Sequence, residues 1–420
     1  MKPKIVKNQD GTMRSLSNRH VQMIAIGGTI GTGLFLGSGS TISKTGPSVM
    51  LVYLILGLFF FFMMRAIGEM FYADPTQHTF VSFISRYLGP TIGHFTGWTY
   101  WIGLVFVCMA ELTATATYVQ YWLPSVPAWI IELVFLGILV SVNLIAARLF
   151  GEAEFWFAMI KIIAIIAMIL TGVFMLINHS VTPLGHVSLT NISHDYTLFP
   201  HGIFNFIAAF PMVFFAFQGI EFVSITIGEA KSPHTVIKKA VNETLLRILL
   251  FYIGALVVIM IIIPWTSLSA NSSPFVQVFK LAGFPAAAAT INFVVLTSAA
   301  IAFTALLVLI TPIMSLTTAI SSVFTIVTGV SSDMYIIVYT LTLVAHRRYR
   351  ASTDFLPNGF IMPWYKITSP LTILFFGIIF ISLFFIPEDI VGAVGAICWT
   401  LIFGGIEFLR QGKTNLNNTN

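Results

Sequence analysis

Apolar runs of about twenty residues or more, set off by short polar breaks, recur from Val21 almost to the end of this 420-residue chain, and they restrict its fold more than any other feature. A bilayer core about 30 Å thick takes roughly 20 apolar residues per helical crossing. Main-chain polar groups in lipid must pair within their own segment, and these runs are too long and too evenly apolar for barrel strands. The chain therefore reads as an all-α polytopic membrane protein. Composition agrees, with 57% hydrophobic residues, 9% charged residues and a mean hydropathy of +0.91. The formal charge of +5 is small, and basic residues gather at span ends, which suits topology signals and argues against nucleic-acid binding. Cys108 and Cys398 lie in apolar runs without ligand spacing, so neither a disulfide framework nor a metal site is indicated. No nucleophile elbow, phosphate loop, zinc motif or catalytic carboxylate pair is present, and an enzyme is not expected.

The runs place spans near 21–44, 48–72, 95–122, 127–147, 154–178, 203–229 and 244–264, then a tract over 284–345, then 369–386 and 390–409. Lys2, Lys4, Lys7, Arg14 and Arg19 precede the first span, Arg86 follows the second, Arg148 the fourth, and Lys231, Lys238 and Lys239 the sixth. The opposite loops carry only Lys44 and Lys280, so the positive-inside rule puts segment 1–20 in the cytoplasm. That segment is a polar, basic head without the features of a cleavable signal peptide. The tract 284–345, whose only charge is Asp333, must cross an odd number of times to reach His346–Arg350 on the inner side. Three crossings need roughly 60 residues with no turns, and one leaves half the tract unexplained. A missing piece or a re-entrant pair is the expectation.

Two spans are interrupted in comparable ways, by GGTIGTG (Gly27–Gly33) in the first and by FAFQGIE (Phe215–Glu221) in the sixth. Glycine clusters can serve close helix packing alone. Paired breaks five spans apart, with Thr29, Thr32 and Gln218 beside them, instead point to a transporter whose site lies where half-helices end near the bilayer midplane. Glycine tolerates non-helical backbone and lets a ligand approach the main chain, as Gly31, Gly33 and Gly219 would. A substrate carboxylate would meet N–H groups around Thr29, Gly31, Thr32 and Gly33. Its ammonium would meet carbonyls near Ile26 and Phe215–Ala216. Phe215 and Phe217 would cover the substrate.

The segments RSLSNRHVQMIAIGGTIGTGLFLGSG, GEAEFWFAMIKI, FAFQGIEFVSITIGEAKSP and INFVVLTSAA carry a resemblance to the bacterial amino acid permease family of the amino acid, polyamine and organocation superfamily. It runs from about Arg14 to about residue 302 and resumes through the last spans. FKLAGFPAAAATINFVVLTSAA is most similar to the branch carrying D-alanine, D-serine and glycine. The resemblance implies a five-plus-five inverted repeat, 21–178 and 203–345, then two extra helices over 369–409 and a tail over 410–420. It also implies secondary uptake of a small neutral amino acid at the cell membrane by alternating access, driven by the proton gradient with no bound cofactor. The family's motif similar to NSGxxSTSRMLxxLA, with its basic loop, is missing after Leu296–Phe303. Parts of the eighth and ninth helices are thus expected to be absent near 302–304. Amino acid, protons and lipid are the expected partners, and oligomeric state is not indicated.

Lys161 lies about seven residues into the fifth span, on the order of 10 Å along the helix. Burial geometry leaves it free either to titrate as a coupling site or to snorkel beside Glu152 or Glu154. The resemblance favours proton coupling, since this lysine matches the position that proton-coupled relatives use in place of sodium. Glu111, in CMAELTATATY, must be paired, protonated or facing a wet cavity. Pocket shaping, proton relay and a structural bond all stay open. Glu221 follows the second break and would brace it against the backbone of the first, in a gating or a structural role. Arg65, Glu69, Glu229 and Lys231 lie near cytoplasmic ends and read as gate contacts or, more ordinarily, as solvated interfacial charges outside the site. Besides proton symport, exchange or facilitation without protons and a non-transporting amino-acid-binding protein remain as alternatives.

Overall fold

The computed structural model describes residues 6–7, 13–14, 26–146, 150–194, 196–227, 233–269, 273–283, 305–387 and 389–417. Among them the only strands form two short antiparallel hairpins, β1 (Val6–Lys7) with β2 (Met13–Arg14) and β3 (Val181–Thr182) with β4 (Gly185–His186). After a helical turn at 26–29, the helices are α1 (Thr32–Phe35), α2 (Gly37–Thr45), α3 (Val49–Ala73), α4 (Phe80–Leu88), α5 (Pro90–Val119), α6 (Ala128–Ala146) and α7 (Phe150–Ile177). Then come α8 (Gly202–Ile207), α9 (Phe210–Phe217), α10 (Phe222–Ile227), α11 (Pro233–Ile262) and α12 (Pro274–Leu281). The last are α13 (Ala305–Val308), α14 (Ile310–Thr317), α15 (Ile320–Arg350), α16 (Tyr365–Leu383) and α17 (Ile390–Asn417). Within the described residues, 8 helical stretches are long and apolar enough to cross a membrane.

The differences from the apolar runs have local causes. Helix α11 begins at Pro233 rather than near 244 because its first turns are amphipathic. Val236, Ile237, Ala240 and Val241 form a buried stripe while Lys238 and Lys239 lie on the other side, a pattern that a search for continuous apolar residues misses. Helix α4 is missed for the same reason; the Thr79 hydroxyl accepts from the Val81 N–H at its start and Gly89, at φ +99°, ends it. Between α3 and α4, burial opposes ionisation of Asp74. Hydrogen bonds from Thr76, Gln77 and Arg86 outweigh that effect and bring its carboxyl down to about 2. In the tract over 284–345 the described part holds the short α13 and α14 and one 31-residue helix, α15. The junction at 302–304 lies outside the described residues.

Helix α15 packs lengthwise on α5, α11 lies against α3, and α9 touches α1, α3 and α15. The two interrupted segments run side by side in opposite directions. A Cβ at Gly28 would meet Phe222, one at Gly33 would fall 2.6 Å from the Ala216 Cα, and one at Gly37 would meet the Met212 sulfur. As the first segment ascends, its partner descends. Small residues let these backbones close to distances that no side chain would permit, so the glycines serve packing as well as interruption.

Candidate functional site

The first interruption falls at Ile30 and Gly31, between the turn at 26–29 and α1, and Gly31 is extended at φ −138° and ψ −159°. The second covers Gln218 to Glu221, between α9 and α10, with Gly219 at φ +93°, a conformation that L side chains rarely adopt. A Cβ on Gly219 would also sit 2.5 Å from the Gly28 carbonyl oxygen, so the second interruption meets the turn that precedes the first through main chain. Beside them is a cavity of ≈ 50 Å³, walled by Gly28, Thr29, Gly31, Thr32 and Gly33 from the first segment and Phe215, Gln218, Gly219 and Phe222 from the second. Helix α5 adds Leu104, Val107 and Glu111, and α15 adds Tyr335.

Three long-range contacts hold this backbone. The Lys161 ammonium, buried on α7, donates to the Gly27 carbonyl at 2.9 Å. The Tyr252 hydroxyl of α11 lies 2.9 Å from the Thr29 carbonyl and 2.7 Å from the Ala216 carbonyl, so its single proton is shared between one carbonyl of each segment. The Glu111 Oε1 accepts from the Thr32 N–H at 3.3 Å and the Thr32 hydroxyl at 3.0 Å. Lys161 is within electrostatic reach of this carboxyl.

Several expectations change against this geometry. The Ile26 carbonyl accepts from the Ile30 N–H at 2.9 Å, because the first helical turn persists, and Ile26 is not part of the cavity wall. Ala216 lies behind Gly33 rather than at the cavity, and its carbonyl is engaged by Tyr252. Phe217 points away: two helical positions beyond Phe215 turn it about 200° round the axis, into a cluster with Tyr53, Phe60 and Tyr252. Thr113, Thr115 and Thr117 donate to carbonyls four residues back, so their hydroxyls add little polarity to the site.

Glu221 does not reach the first segment's backbone. Its Oε1 accepts from the Tyr100 hydroxyl at 3.0 Å, and its Oε2 accepts from the Tyr339 hydroxyl at 2.6 Å and the Gly219 N–H at 3.0 Å. It therefore ties the second interruption to α5 and α15. Glu69 is not solvated either. It is buried on α3 and pairs with Arg350 at 2.5 Å and His346 at 3.1 Å, while the Met362 N–H donates to it at 2.6 Å. Arg65 donates to Asn242 at 3.1 Å and to the Ile361 carbonyl. These contacts pin the connection between α15 and α16 onto α3. Glu229 and Lys231 fall outside the described residues.

Sequence reading missed Tyr100, Tyr252, Tyr335 and Tyr339. Their one signal was that a tyrosine at membrane depth needs a partner for its hydroxyl, and the partner's identity has no signature along the chain.

An all-helical membrane protein with two antiparallel, interrupted segments, whose bare main chain meets at a small cavity lined by a half-buried glutamate, with a buried lysine bonded to the first segment, has the architecture of a membrane transporter. Residues 20–311 match the family described as amino acid permease. The DL-alanine permease SerP2 of Lactococcus lactis is 45% identical over 444 positions, which cover 96% of each chain. Serine permease SerP1 of the same organism is 44% identical over 449 positions, covering 95% of this chain and 98% of that one. The D-serine/D-alanine/glycine transporter of Escherichia coli is 48% identical over 288 positions, 68% of this chain and 61% of the transporter. The chain belongs to the amino acid permease family, and amino acid transport across a membrane, rather than enzyme chemistry, is its activity. Both alignments with the Lactococcus permeases have more positions than this chain has residues, so each relative carries residues that have no counterpart here.

Proposed function

We propose that this permease imports a small neutral amino acid, alanine, serine or glycine, with D-forms included, by proton symport and alternating access. It would work in the cell membrane with its N-terminus in the cytoplasm. The names of its relatives support the substrate class, as does a cavity of ≈ 50 Å³, which holds only a few water-sized groups and leaves little space for a large side chain. The substrate carboxylate would take main-chain N–H groups between Thr29 and Gly33, with Phe215 and Gly219 closing the opposite wall. Lys161 would carry the coupled proton.

The observation behind the proton reading is the buried Lys161 ammonium on the Gly27 carbonyl, in the helical turn that leads into the first interruption. Gaining or losing a proton there strengthens or releases a bond to the backbone that shapes the site. Uptake of labelled D- and L-alanine into proteoliposomes, with and without an imposed inward-acid gradient, tests this. Accumulation is expected only with the gradient, and Lys161→Met should retain equilibration while losing accumulation. Gradient-independent accumulation in the wild type would instead favour exchange. The relatives' unmatched residues favour one second reading, a protein that binds amino acids without moving them. Thermal stabilisation by alanine in a protein that gives no uptake would support it.

A further inference from the structure

Glu111 already has a carboxylate on donors that an amino acid would need. Its Oε1 takes both the N–H and the hydroxyl of Thr32. It comes this close because Gly31 has no side chain: a Cβ there would stand 2.8 Å from that oxygen. Its Oε2 is buried at the cavity and has no hydrogen-bond partner. A buried carboxyl oxygen without a donor is costly, and the hydrogen bonds that hold Glu111 reach one of its oxygens and come from Thr32. The α-carboxylate of an amino acid presents the same pair of oxygens as Glu111. Two ionised carboxylates crowded onto Thr32 would repel each other, so they compete for its donors.

We propose that Glu111 is a built-in competitor for the substrate carboxylate, holding the Thr32 donors until an arriving amino acid displaces it toward the Lys161 ammonium. This rests on the transport reading above. It also assigns a specificity role: the displaced Glu111 stays beside the cavity, so an amino acid with a second carboxylate is rejected, whereas a zwitterion with a neutral side chain is accepted. Glu111 thus weakens binding of every substrate while filtering them by charge.

Calorimetric titration of the purified full chain with glycine, D-alanine, L-serine and L-aspartate tests this, alongside Glu111→Ala and Glu111→Gln. Thermal unfolding checks that each variant is folded. Glu111→Ala should bind alanine roughly tenfold more tightly than the wild type, a difference of about 1.4 kcal/mol, and should gain measurable affinity for aspartate. Glu111→Gln keeps the side-chain shape with a weaker acceptor, and it should lie between the two. Wild-type binding with equal or weaker binding in both variants would overturn the competitor role and leave the transport reading standing. No binding of any of the four by the wild type or its folded variants would overturn both.

Discussion

Replacing Glu221 by alanine removes the acceptor on which three buried donors converge, namely the hydroxyls of Tyr100 and Tyr339 and the N–H of Gly219. A buried donor left without a partner costs about 1–3 kcal/mol. Rearrangement of the two hydroxyls would recover part of this, and interhelical hydrogen bonds in membranes average nearer the low end, so the expected loss for the three donors is about 2–3 kcal/mol. Glu221→Gln separates geometry from charge. Its amide oxygen still accepts from Gly219 and from one tyrosine, and only one bond is lost, for about 1–2 kcal/mol. Thermal unfolding in detergent micelles, followed by tryptophan fluorescence, should therefore rank wild type above glutamine above alanine. A fall in Tm on the order of 5 °C is expected for alanine and less than half that for glutamine. Calorimetric titration with alanine should weaken in the same order, because the non-helical Gly219 backbone loses its anchor. If Glu221→Ala unfolds within about a degree of the wild type, the three donors have found other partners and the bracing role fails. If both variants fall equally, charge rather than the convergent bonds is what matters.

Two further outcomes follow from other contacts. Tyr252→Phe strips the shared hydroxyl from the Thr29 and Ala216 carbonyls; stability should drop by about 1–2 kcal/mol and alanine affinity should fall, and unchanged affinity would show that the bridge does not shape the site. Asp74 has a folded-state value of about 2, below its unfolded value of about 3.9, so its contribution is complete above the unfolded value and is lost as pH falls through about 2. The gap between wild type and Asp74→Asn should be constant from pH 8 to 5, at most about 1 kcal/mol after solvent screening, and should close between roughly pH 4 and 2; a gap that widens in acid would contradict the assignment.

Much of the site was legible because it consists of residues that violate the apolar pattern around them. Lys161, Glu111 and Glu221 stand out in any membrane-length run, and Gly31 and Gly219 mark the places where a helix cannot continue cheaply. The structure brings Thr29, Thr32, Gly33, Phe215 and Gly219 around one cavity with Glu111. Reading failed where direction about a helix axis decided the outcome, as with Phe217. It failed also where a charge near a span end was buried by elements distant in sequence, as Glu69 is by α15 and the connection that follows it.

Hydropathy and glycine placement alone dictated an all-helical membrane chain with two interruptions, since lipid obliges the backbone to pair with itself and the runs are too long and evenly apolar for barrel strands. They could not say which of the released backbone groups are available to a ligand. That depended on side chains arriving from helices far along the chain. Tyr252 takes the Thr29 and Ala216 carbonyls, Lys161 takes that of Gly27, and Glu111 takes the Thr32 N–H. A hydrogen bond is decided by distance and angle in space, and no local pattern of residues records them.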